Sequence, residues 1–344
     1  MAFDPVVFAL YEFLSREPAA PFGLALSGGV DSMALFYALL ELKERLHLKF
    51  YALHVDHGWR KSSESEAEAL KRLSEAKKIK FFSCKLEGEA KKNSEDDARV
   101  KRYAFFKEVA QQEGFSKVCL AHHADDLAEN VLKRFFEGAS LENLGNLEKR
   151  SHGFGLELWR PFLDIEKEKL VQWMQGRKLS WFEDSSNQDP KYLRSRLRGQ
   201  LIPKLESVFG KNLSKGLIAR ASESKQLKRA LEERVEPFWK NYQQKAACDS
   251  RYARVLETRI GGASRLSQFE LSYLVKKFFE ALQIRLSRED KALLARLLKQ
   301  EKCVKRFQVS MVQVAISSGK LELELKTCEE PVRGEQAAGI LVPF

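Results

Sequence analysis

A six-residue run near the start of the chain combines the groups that bind phosphate in proteins. It contains two hydroxyl groups, two glycines and one carboxylate, in the order Ser27-Gly28-Gly29-Val30-Asp31-Ser32. Glycines permit a tight turn and a close approach of the backbone, so that several N–H groups can point at phosphate oxygens. A helix that starts here adds the positive end of its dipole. The run therefore predicts a phosphate-binding loop.

The carboxylate of Asp31 cannot contact phosphate directly, because two negative groups repel each other. A Mg²⁺ ion that bridges Asp31 and the phosphates is therefore the role predicted for this residue. The loop is not a Walker A motif, since no Gly-Lys-Ser/Thr follows the glycines. A cradle without lysine suits release of pyrophosphate better than transfer of a terminal phosphoryl group. The alternative is structural: Ser27 caps a helix and the glycines form a tight turn.

A second group of chemically useful residues lies about a hundred residues later. Asp126 and Glu129 stand three residues apart in a predicted helix and so share one face of it. Two carboxylates on one face can bind an amine and accept its proton. The alternative is that they are solvated surface acids. His122, just before this helix, is a candidate contact to a nucleotide or base, whereas His123 is as readily a structural histidine.

A series of strands and helices must bring these groups together. Apolar patterns predict strands at 22–26, 50–55, 80–84 and 117–121, and helices at 31–46, 63–77, 96–112 and 125–136. Repeated βα units of this kind predict an α/β domain with a doubly wound parallel sheet over residues 1–205. Ligands bind such sheets beyond the carboxyl ends of the strands. Polar clusters follow three of the strands there, at 27–32, 54–60 and 122–129.

The remainder, residues 206–344, is predicted to be a mainly helical C-terminal domain that ends in short β-strands. A helix at 193–208, which Pro203 should kink or end, leads into this part of the chain. Further helices are predicted at 212–245, 267–282 and 287–300, and strands at 306–309, 312–316 and 321–325. Ser318-Gly319 is a suitable hairpin turn between the last two strands.

The net charge of +11 is concentrated in one part of the chain. Residues 1–190 carry 28 Lys and Arg against 31 Asp and Glu, residues 191–300 carry 25 against 11, and the rest carry 6 against 6. Such asymmetry predicts a polyanionic partner, with a solvated Lys-rich surface as the alternative. The candidate contacts to a nucleic-acid backbone are Arg198, Lys211, Lys215, Arg220, Lys225 and Lys228.

The cysteines and the apolar runs predict a cytoplasmic protein. The five cysteines are scattered and none forms a C-x-x-C pair, which favours reduced thiols over a disulfide scaffold or a zinc site. No apolar run approaches the ~18 residues of a membrane span, and the start lacks the features of a signal peptide. No membrane association is expected.

Several motifs occur in the order found in the tRNA(Ile)-lysidine synthetase family, which the chain resembles over residues 22–205. These enzymes are N-type ATP pyrophosphatases of the PP-loop superfamily. The matching segments are the loop 27–32, His54–Arg60, Glu95–Tyr103, Ala121–Glu129, Trp159–Phe162, and Glu183–Asn187 followed by Arg194, Arg198 and Pro203. The chain departs from the family pattern at Trp59, Ala121, Asn130 and Ser195, which leaves every charged group in place.

The resemblance implies an adenine nucleotide hydrolase-like fold and a specific ligase reaction. ATP adenylates the 2-carbonyl oxygen of the wobble cytidine in tRNA(Ile) with a CAU anticodon, and diphosphate leaves. The ε-amine of free L-lysine then displaces AMP and forms lysidine, which changes codon specificity from AUG to AUA. The implied cofactors are ATP and Mg²⁺, and the resemblance leaves room for a homodimer.

The resemblance also implies roles for individual residues. Catalysis is expected from Asp31, Asp126, Glu129 and Arg194, and lysine binding from the two acids of the predicted helix. Contacts to the adenylate or phosphates are expected from His54, Arg99 and His122. An arginine fork suits phosphate oxygens. For Arg99, Arg194 and Arg198 the alternative is an ion pair with nearby acids.

Three rival functions remain to be compared with this one. A tRNA thiolase of the same superfamily usually needs a cysteine pair or iron–sulfur ligands, and no C-x-x-C is present. An amidotransferase-type synthetase needs an ammonia source, which the basic helical half does not resemble. A non-catalytic RNA-binding protein would not need the loop together with Asp126 and Glu129.

Overall fold

The computed structural model describes residues 4–56, 63–86, 95–182, 193–248, 255–257, 266–299, 304–309, 312–317 and 320–324. The chain divides into two compact units, with the division along the chain between Lys225 and Gln226. The predicted boundary after residue 205 stays a prediction, and the division into compact units lies inside one long helix. The reason is that apolar residues of this helix belong to two different cores, Ala221 to one in the first unit and Val235 to one in the second.

The first unit contains a six-stranded sheet. Its strands are β1 (Phe22–Ala25), β2 (Phe50–Asp56), β3 (Phe81–Lys85), β4 (Lys117–Cys119), β5 (Arg150–Gly153) and β6 (Leu156–Trp159). Their order is β3-β2-β1-β4-β6-β5, and every neighbouring pair is parallel except β5 and β6. The predicted α/β class with a mostly parallel sheet is therefore confirmed.

Helices connect and flank these strands. They are α1 (Pro5–Leu14), α2 (Val30–Leu42), α3 (Ser63–Ala76), α4 (Glu95–Glu113), α5 (Ala124–Phe136), α6 (Lys167–Gly176), α7 (Leu193–Arg196), α8 (Ile202–Phe209) and the start of α9 (Leu213–Cys248). Strand β1 pairs with β2 on one side and with β4 on the other, so the strand order changes direction at β1 and β4. Ligand sites of open α/β sheets form at such a point.

The core explains why the loop after β1 is held firmly. Leu24 of β1 and Leu35 and Leu39 of α2 are fully buried in the same apolar cluster. A central parallel strand is covered on both faces, so it is apolar throughout and not alternating. The residues between β1 and α2 are thus anchored at both ends.

The antiparallel hairpin of β5 and β6 and the helix α6 were not predicted from the sequence. The hairpin turns at Phe154 and Gly155, which both have positive φ, of 57° and 77°. A two-residue turn of this kind normally carries Asn-Gly or Asp-Gly. Phenylalanine at the first position hides the turn, and stacking of its ring on Tyr103, with centroids 4.3 Å apart, compensates locally.

The predicted helix at 193–208 is interrupted as expected near Pro203, but it does not end there. A π-helical turn, Leu197–Leu201, joins α7 to α8. Pro203 lies in the first turn of α8, directly after the π-helical turn, at the point where a proline interrupts the regular hydrogen bonding of a helix. The wider turn changes the directions in which the side chains of residues 197–201 project.

The second unit combines the rest of α9 with two more helices and a small sheet. The helices are α10 (Gln268–Ala281) and α11 (Arg288–Lys299), and the strands are β7 (Val255–Glu257), β8 (Val304–Val309), β9 (Val312–Ser317) and β10 (Lys320–Glu324). The sheet is antiparallel in the order β7-β10-β9-β8. Only β7 was not predicted, and the Ser318-Gly319 turn lies outside the described residues.

Among the described helices, none has both the length and the apolar character that a membrane crossing requires.

Candidate active site

The predicted phosphate loop follows β1 and is held by its own hydroxyl groups. Ser32 Oγ accepts a hydrogen bond from the Gly28 N–H (3.1 Å), lies 3.0 Å from Ser27 Oγ and donates to the carbonyl of Gly29 (3.0 Å). Gly28 has a φ of +90°, and a Cβ there would stand 2.8 Å from the ring of Phe182. The glycine is therefore required by both the backbone conformation and the close packing.

Gly29 differs from Gly28, because the described part of the chain does not crowd it. A Cβ at this position would meet only Ser27 Oγ, at 3.8 Å. Gly29 is also the N-cap of α2, and it has no side chain to accept from the first N–H groups of the helix. Unpaired N–H groups at a helix start are an anion site. The empty space and the donors together fit a phosphate group.

Asp31 lies in the first turn of α2 and fits the predicted metal role. Its Oδ1 atom is buried and has no hydrogen-bond partner among the described residues. Its Oδ2 atom is 3.7 Å from both His123 Nε2 and Lys167 Nζ. A buried carboxylate oxygen without a partner is costly unless a cation binds it. The donor set therefore suits Mg²⁺ shared with phosphate oxygens.

His54 supports this loop from the neighbouring strand β2. The side chain is buried, and its Nδ1 lies 2.8 Å from the carbonyl oxygen of Leu26, the residue before the loop. The imidazole also stacks on Phe81, with ring centroids 6.0 Å apart. These contacts make His54 a support of the loop.

A cluster of one histidine and three carboxylates lies where β4 gives way to α5. The buried His123 side chain is 3.3 Å from Asp125 and 3.4 Å from Asp126, in addition to its contact with Asp31. Its backbone N–H donates to Asp126 (3.0 Å), and Asp125 accepts from the N–H of Lys167 (2.8 Å). His123 thereby connects the phosphate loop to α5.

The pKa values of His123, Asp125 and Asp126 are shifted toward their charged forms. Burial opposes a proton on His123, but Asp125, Asp126 and Asp31 outweigh burial and raise its pKa. His123, whose Nδ1 is 3.3 Å from the carboxylate, is the main reason why the pKa of Asp125 is lowered to about 2. Burial works against the charge of Asp126, yet His123 and Arg198 bring its pKa below the usual value.

His122 has the opposite electrostatic environment. Burial lowers its pKa to about 3, and Arg160, Arg194 and Arg102 add to this effect although Asp126 opposes it. Its Nδ1 is buried without a hydrogen-bond partner in the part of the chain that the structure describes. A neutral imidazole with an unused nitrogen is suited to a hydrogen bond with a ligand.

One arginine binds both Asp126 and Glu129, the two carboxylates that share a face of α5. Arg198, on the π-helical turn, donates from Nε to Glu129 (2.5 Å) and from Nη2 to Asp126 (2.9 Å). Burial raises the pKa of Glu129, and Arg198 counteracts this only partly. Arg198 was predicted as a contact to a nucleic-acid backbone, but its guanidinium lies on these two acids.

A cavity of about 290 Å³ lies beside this arginine. Its lining includes Arg198 and Glu129 on one side and Ile202, Glu206 and Lys215 on α8 and α9. Its charged lining is completed by Lys167, Asp125, Glu166 and Glu168. The cavity therefore contains both signs of charge, with an acidic excess next to Glu129.

The other predicted residues are more dispersed. Arg99 lies about 6 Å from the ring centroids of Tyr103 and Phe154, and no described contact brings it to the loop. Arg194 is exposed, and its charge acts on His122 and Glu129. Of the predicted backbone contacts, Arg220 is paired with Glu223 (2.6 Å). Lys211 and Lys215 are exposed, whereas Lys225 and Lys228 are half-buried.

Two residues of the site, Lys167 and His123, were not predicted from the sequence to belong to it. Lys167 was not singled out, because it begins a Lys- and Glu-rich helix that is typical of a solvated surface. His123 was named only as a structural alternative, and its position next to the N-terminus of α5 was the available signal. The motif residues 57–60 and 183–187 lie outside the described residues.

Comparison with known proteins agrees with the geometry. A family model described as a PP-loop domain, ATP_bind_3, matches residues 5–205. A tRNA(Ile)-lysidine synthase from Chlamydia pneumoniae is 42% identical over 229 residues, which cover 66% of this chain and 70% of that protein. A tRNA(Ile)-lysidine synthase from Protochlamydia amoebophila is 39% identical over 219 residues, which cover 63% of this chain and 48% of that protein.

A solved structure supports the fold independently of these sequences. The U34-tRNA thiolase NcsA from Methanococcus maripaludis, with its 4Fe–4S cluster, matches 64% of this chain and 78% of its own length with a TM-score of 0.53. At 17% identity this similarity concerns the fold alone. The predicted family and enzyme class are confirmed by the closer relatives. The chain is a ligase with an ATP-binding domain, and it belongs to the PP-loop family and, within that family, to the tRNA(Ile)-lysidine synthases.

Proposed function

We propose that the chain ligates L-lysine to C2 of the wobble cytidine in tRNA(Ile) with a CAU anticodon. ATP is consumed, AMP and diphosphate are released, and the codon specificity of the tRNA changes from AUG to AUA. The observation that carries this proposal is the link through His123 between Asp31 of the phosphate loop and Asp126 of α5. It supports an anion site and an amine site within one catalytic centre.

In the first step the cytidine O2 attacks the α-phosphate of ATP, and the bond to diphosphate breaks. Ser27, the glycine N–H groups and the start of α2 hold the negative oxygens in a preorganised site. Mg²⁺ held through Asp31 would supply positive charge to the leaving diphosphate. The neutral His122 can donate a hydrogen bond to the adenylate or the base.

In the second step the ε-amine of lysine attacks C2, and AMP leaves with the former O2. Lysine arrives as an ammonium, so it needs negative charge for binding and a base for its proton. Asp126 is held ionised by its surroundings and attracts the ammonium. Glu129, whose pKa burial raises, is the better proton acceptor of the two. Arg194, exposed near His122, is assigned to the phosphate or the RNA.

The basic stretch of the chain suits the RNA backbone. Lys215, Arg220, Lys225 and Lys228 on α9, and Lys211 just before this helix, are assigned to contacts with the RNA phosphates. Arg99, which lies on α4, is assigned to the adenylate or to a phosphate of ATP. An unpaired anticodon loop lets the cytidine leave its stack at low cost. We place the reaction in the cytoplasm, where tRNA, lysine and ATP are all present.

The test is incorporation of radiolabelled L-lysine into an unmodified transcript of CAU-anticodon tRNA(Ile). With ATP and Mg²⁺ the label should enter the tRNA, and digestion should recover it in a single modified cytidine. A transcript with uridine at the wobble position is the matched control and should stay unlabelled. Pyrophosphate release without lysine transfer would mean that another nucleophile is used, and neither product would refute the proposed ligase.

A further inference from the structure

The guanidinium of Arg198 occupies the position between the two carboxylates of α5. Its Nε and Nη2 atoms donate to Glu129 and Asp126, so one fork spans two acids that are one helical turn apart. Glu129 is buried and the Asp126 side chain is only 16% exposed. Glu129 therefore depends on a cation for neutralisation, and Asp126 shares this cation in addition to its contact with His123.

This position is the one that the proposed reaction assigns to the lysine ammonium. An ammonium and a guanidinium both bring one positive charge and several N–H donors. A second cation entering beside Arg198 would find one oxygen of each carboxylate already bound and a like charge next to it. The two cations therefore compete for the same pair of acids.

The surroundings of Arg198 give its side chain another place to bind. It projects from the π-helical turn, and such turns occur often where a functional side chain must be redirected. It also lines the cavity of about 290 Å³, whose wall carries the carboxylates of Glu166, Glu168 and Glu206. A guanidinium that leaves Glu129 can thus keep carboxylate partners.

We propose that Arg198 is the internal occupant of the amine site and that the lysine ε-ammonium displaces it into the adjoining cavity. Arg198 neutralises Asp126 and Glu129 while lysine is absent, and a ligand without a cationic amine cannot take its place. The inference rests on the proposed function for the identity of the amine. It makes Arg198 a residue that determines specificity.

The first test is calorimetric titration of the full chain with L-lysine, for wild type, Arg198→Gln and Arg196→Gln. The exposed Arg196 lies two residues away and serves as the control. Removing the competitor should tighten lysine binding about tenfold in Arg198→Gln and leave the control unchanged. Unchanged, weaker or absent binding in Arg198→Gln would overturn the inference, because Arg198 would then help to form the amine site.

The second test separates competition from a merely structural role. Millimolar guanidinium, compared with equal sodium chloride, is added to Arg198→Ala during lysine incorporation. A free guanidinium that refills the site should raise the KM for lysine and leave kcat unchanged. An increase in kcat would show that the arginine is needed during the chemistry and would contradict displacement.

The third test is carried out on the wild-type protein. The Nε–H signal of Arg198, assigned in an ¹⁵N spectrum with Arg198→Lys, should be protected from exchange and should lose this protection when L-lysine is added. If protection persists at a lysine concentration at which the chain modifies tRNA, the displacement of Arg198 is refuted and the proposed function is unaffected. Loss of protection in a chain that modifies no tRNA would instead reject the proposed function.

Discussion

Charged residues are organised differently in two regions of the molecule. The first is the phosphate loop together with α5, and the second is the basic run at residues 211–220, which leads into α9. In the first region Asp31, His123, Asp126 and Glu129 are wholly or partly buried, and each has a charged partner closer than 4 Å. In the second region Lys211, Lys215 and Arg220 are exposed. Buried charges depend on particular partners, whereas exposed charges are screened by water and salt. Single substitutions should therefore have large and specific effects in the first region, and small and cumulative effects in the second.

The largest effect is expected at Asp31. Asp31→Asn removes the negative charge that suits Mg²⁺ and should reduce tRNA-dependent pyrophosphate release by about 10²- to 10³-fold, as loss of a preorganised electrostatic contact does. The exposed Asp164→Asn is the control. Initial rates over a range of Mg²⁺ concentrations give the measurement. A variant that retains wild-type rates at low Mg²⁺ would contradict the metal role.

The two glycines of the loop should respond differently to one methyl group. Gly28→Ala forces a left-handed residue against Phe182 and should lower the free energy of unfolding by about 1–3 kcal/mol. Among the described residues, a methyl group in Gly29→Ala meets only Ser27 Oγ, at an ordinary contact distance of 3.8 Å, so stability should change by less than about 0.5 kcal/mol. Its KM for ATP should nevertheless rise about tenfold, because the methyl group occupies phosphate space. Denaturant titration and ATP kinetics distinguish the two, and equal stabilities would refute the distinction.

His122 should make the fold less stable in mild acid. The unfolded chain protonates this residue below pH 6.5, whereas the native residue stays neutral down to about pH 3. The unfolded state therefore binds more protons in this window, and the free energy of unfolding falls as the pH falls.

His122→Gln removes this difference in proton binding. The fall in the free energy of unfolding between pH 7 and pH 5 should therefore be smaller in the variant than in the wild type, by on the order of 1 kcal/mol. Urea titration at both pH values measures it, with the exposed His152→Gln as the control. Identical pH dependence in wild type and His122→Gln would show that His122 is not held neutral.

The smallest effects are expected for the exposed basic residues of the second region. Lys211→Gln or Arg220→Gln should raise the KM for tRNA only about two- to fivefold and leave kcat unchanged. Each lost phosphate contact should also reduce the salt dependence of binding by about one unit of log–log slope. Filter binding at several salt concentrations tests this, and a large change in kcat would move these residues into the catalytic centre.

The sequence predicted those features that local patterns specify. The glycines and hydroxyls of the loop, the apolar β1 and the amphipathic α5 each carry their signal within a few residues. The three-residue spacing of Asp126 and Glu129 correctly predicted a shared helix face, because that relation is local.

The features that were missed depend on distant or atypical residues. Arg198 meets its carboxylates across about 70 positions of sequence, through a π-helical turn that no local pattern announces. The contact of His54 with the Leu26 carbonyl depends on the register of β1 and β2. The turn at Phe154 uses a residue that is uncommon at positive φ. Packing decides such contacts, and packing is not visible in a single sequence.

The central claim is that one catalytic centre contains two chemically separate sites. Asp126→Asn tests this claim most directly when pyrophosphate release and lysine incorporation are measured in the same reaction with CAU-anticodon tRNA(Ile). The control is Glu137→Gln, an exposed residue at the C-cap of the same helix. Pyrophosphate should still be released once per tRNA in Asp126→Asn, while lysine incorporation should fall by 10²-fold or more, about the contribution of a positioned base or ion partner. Parallel loss of both activities, or undiminished incorporation of lysine, would contradict a separate amine site at Asp126.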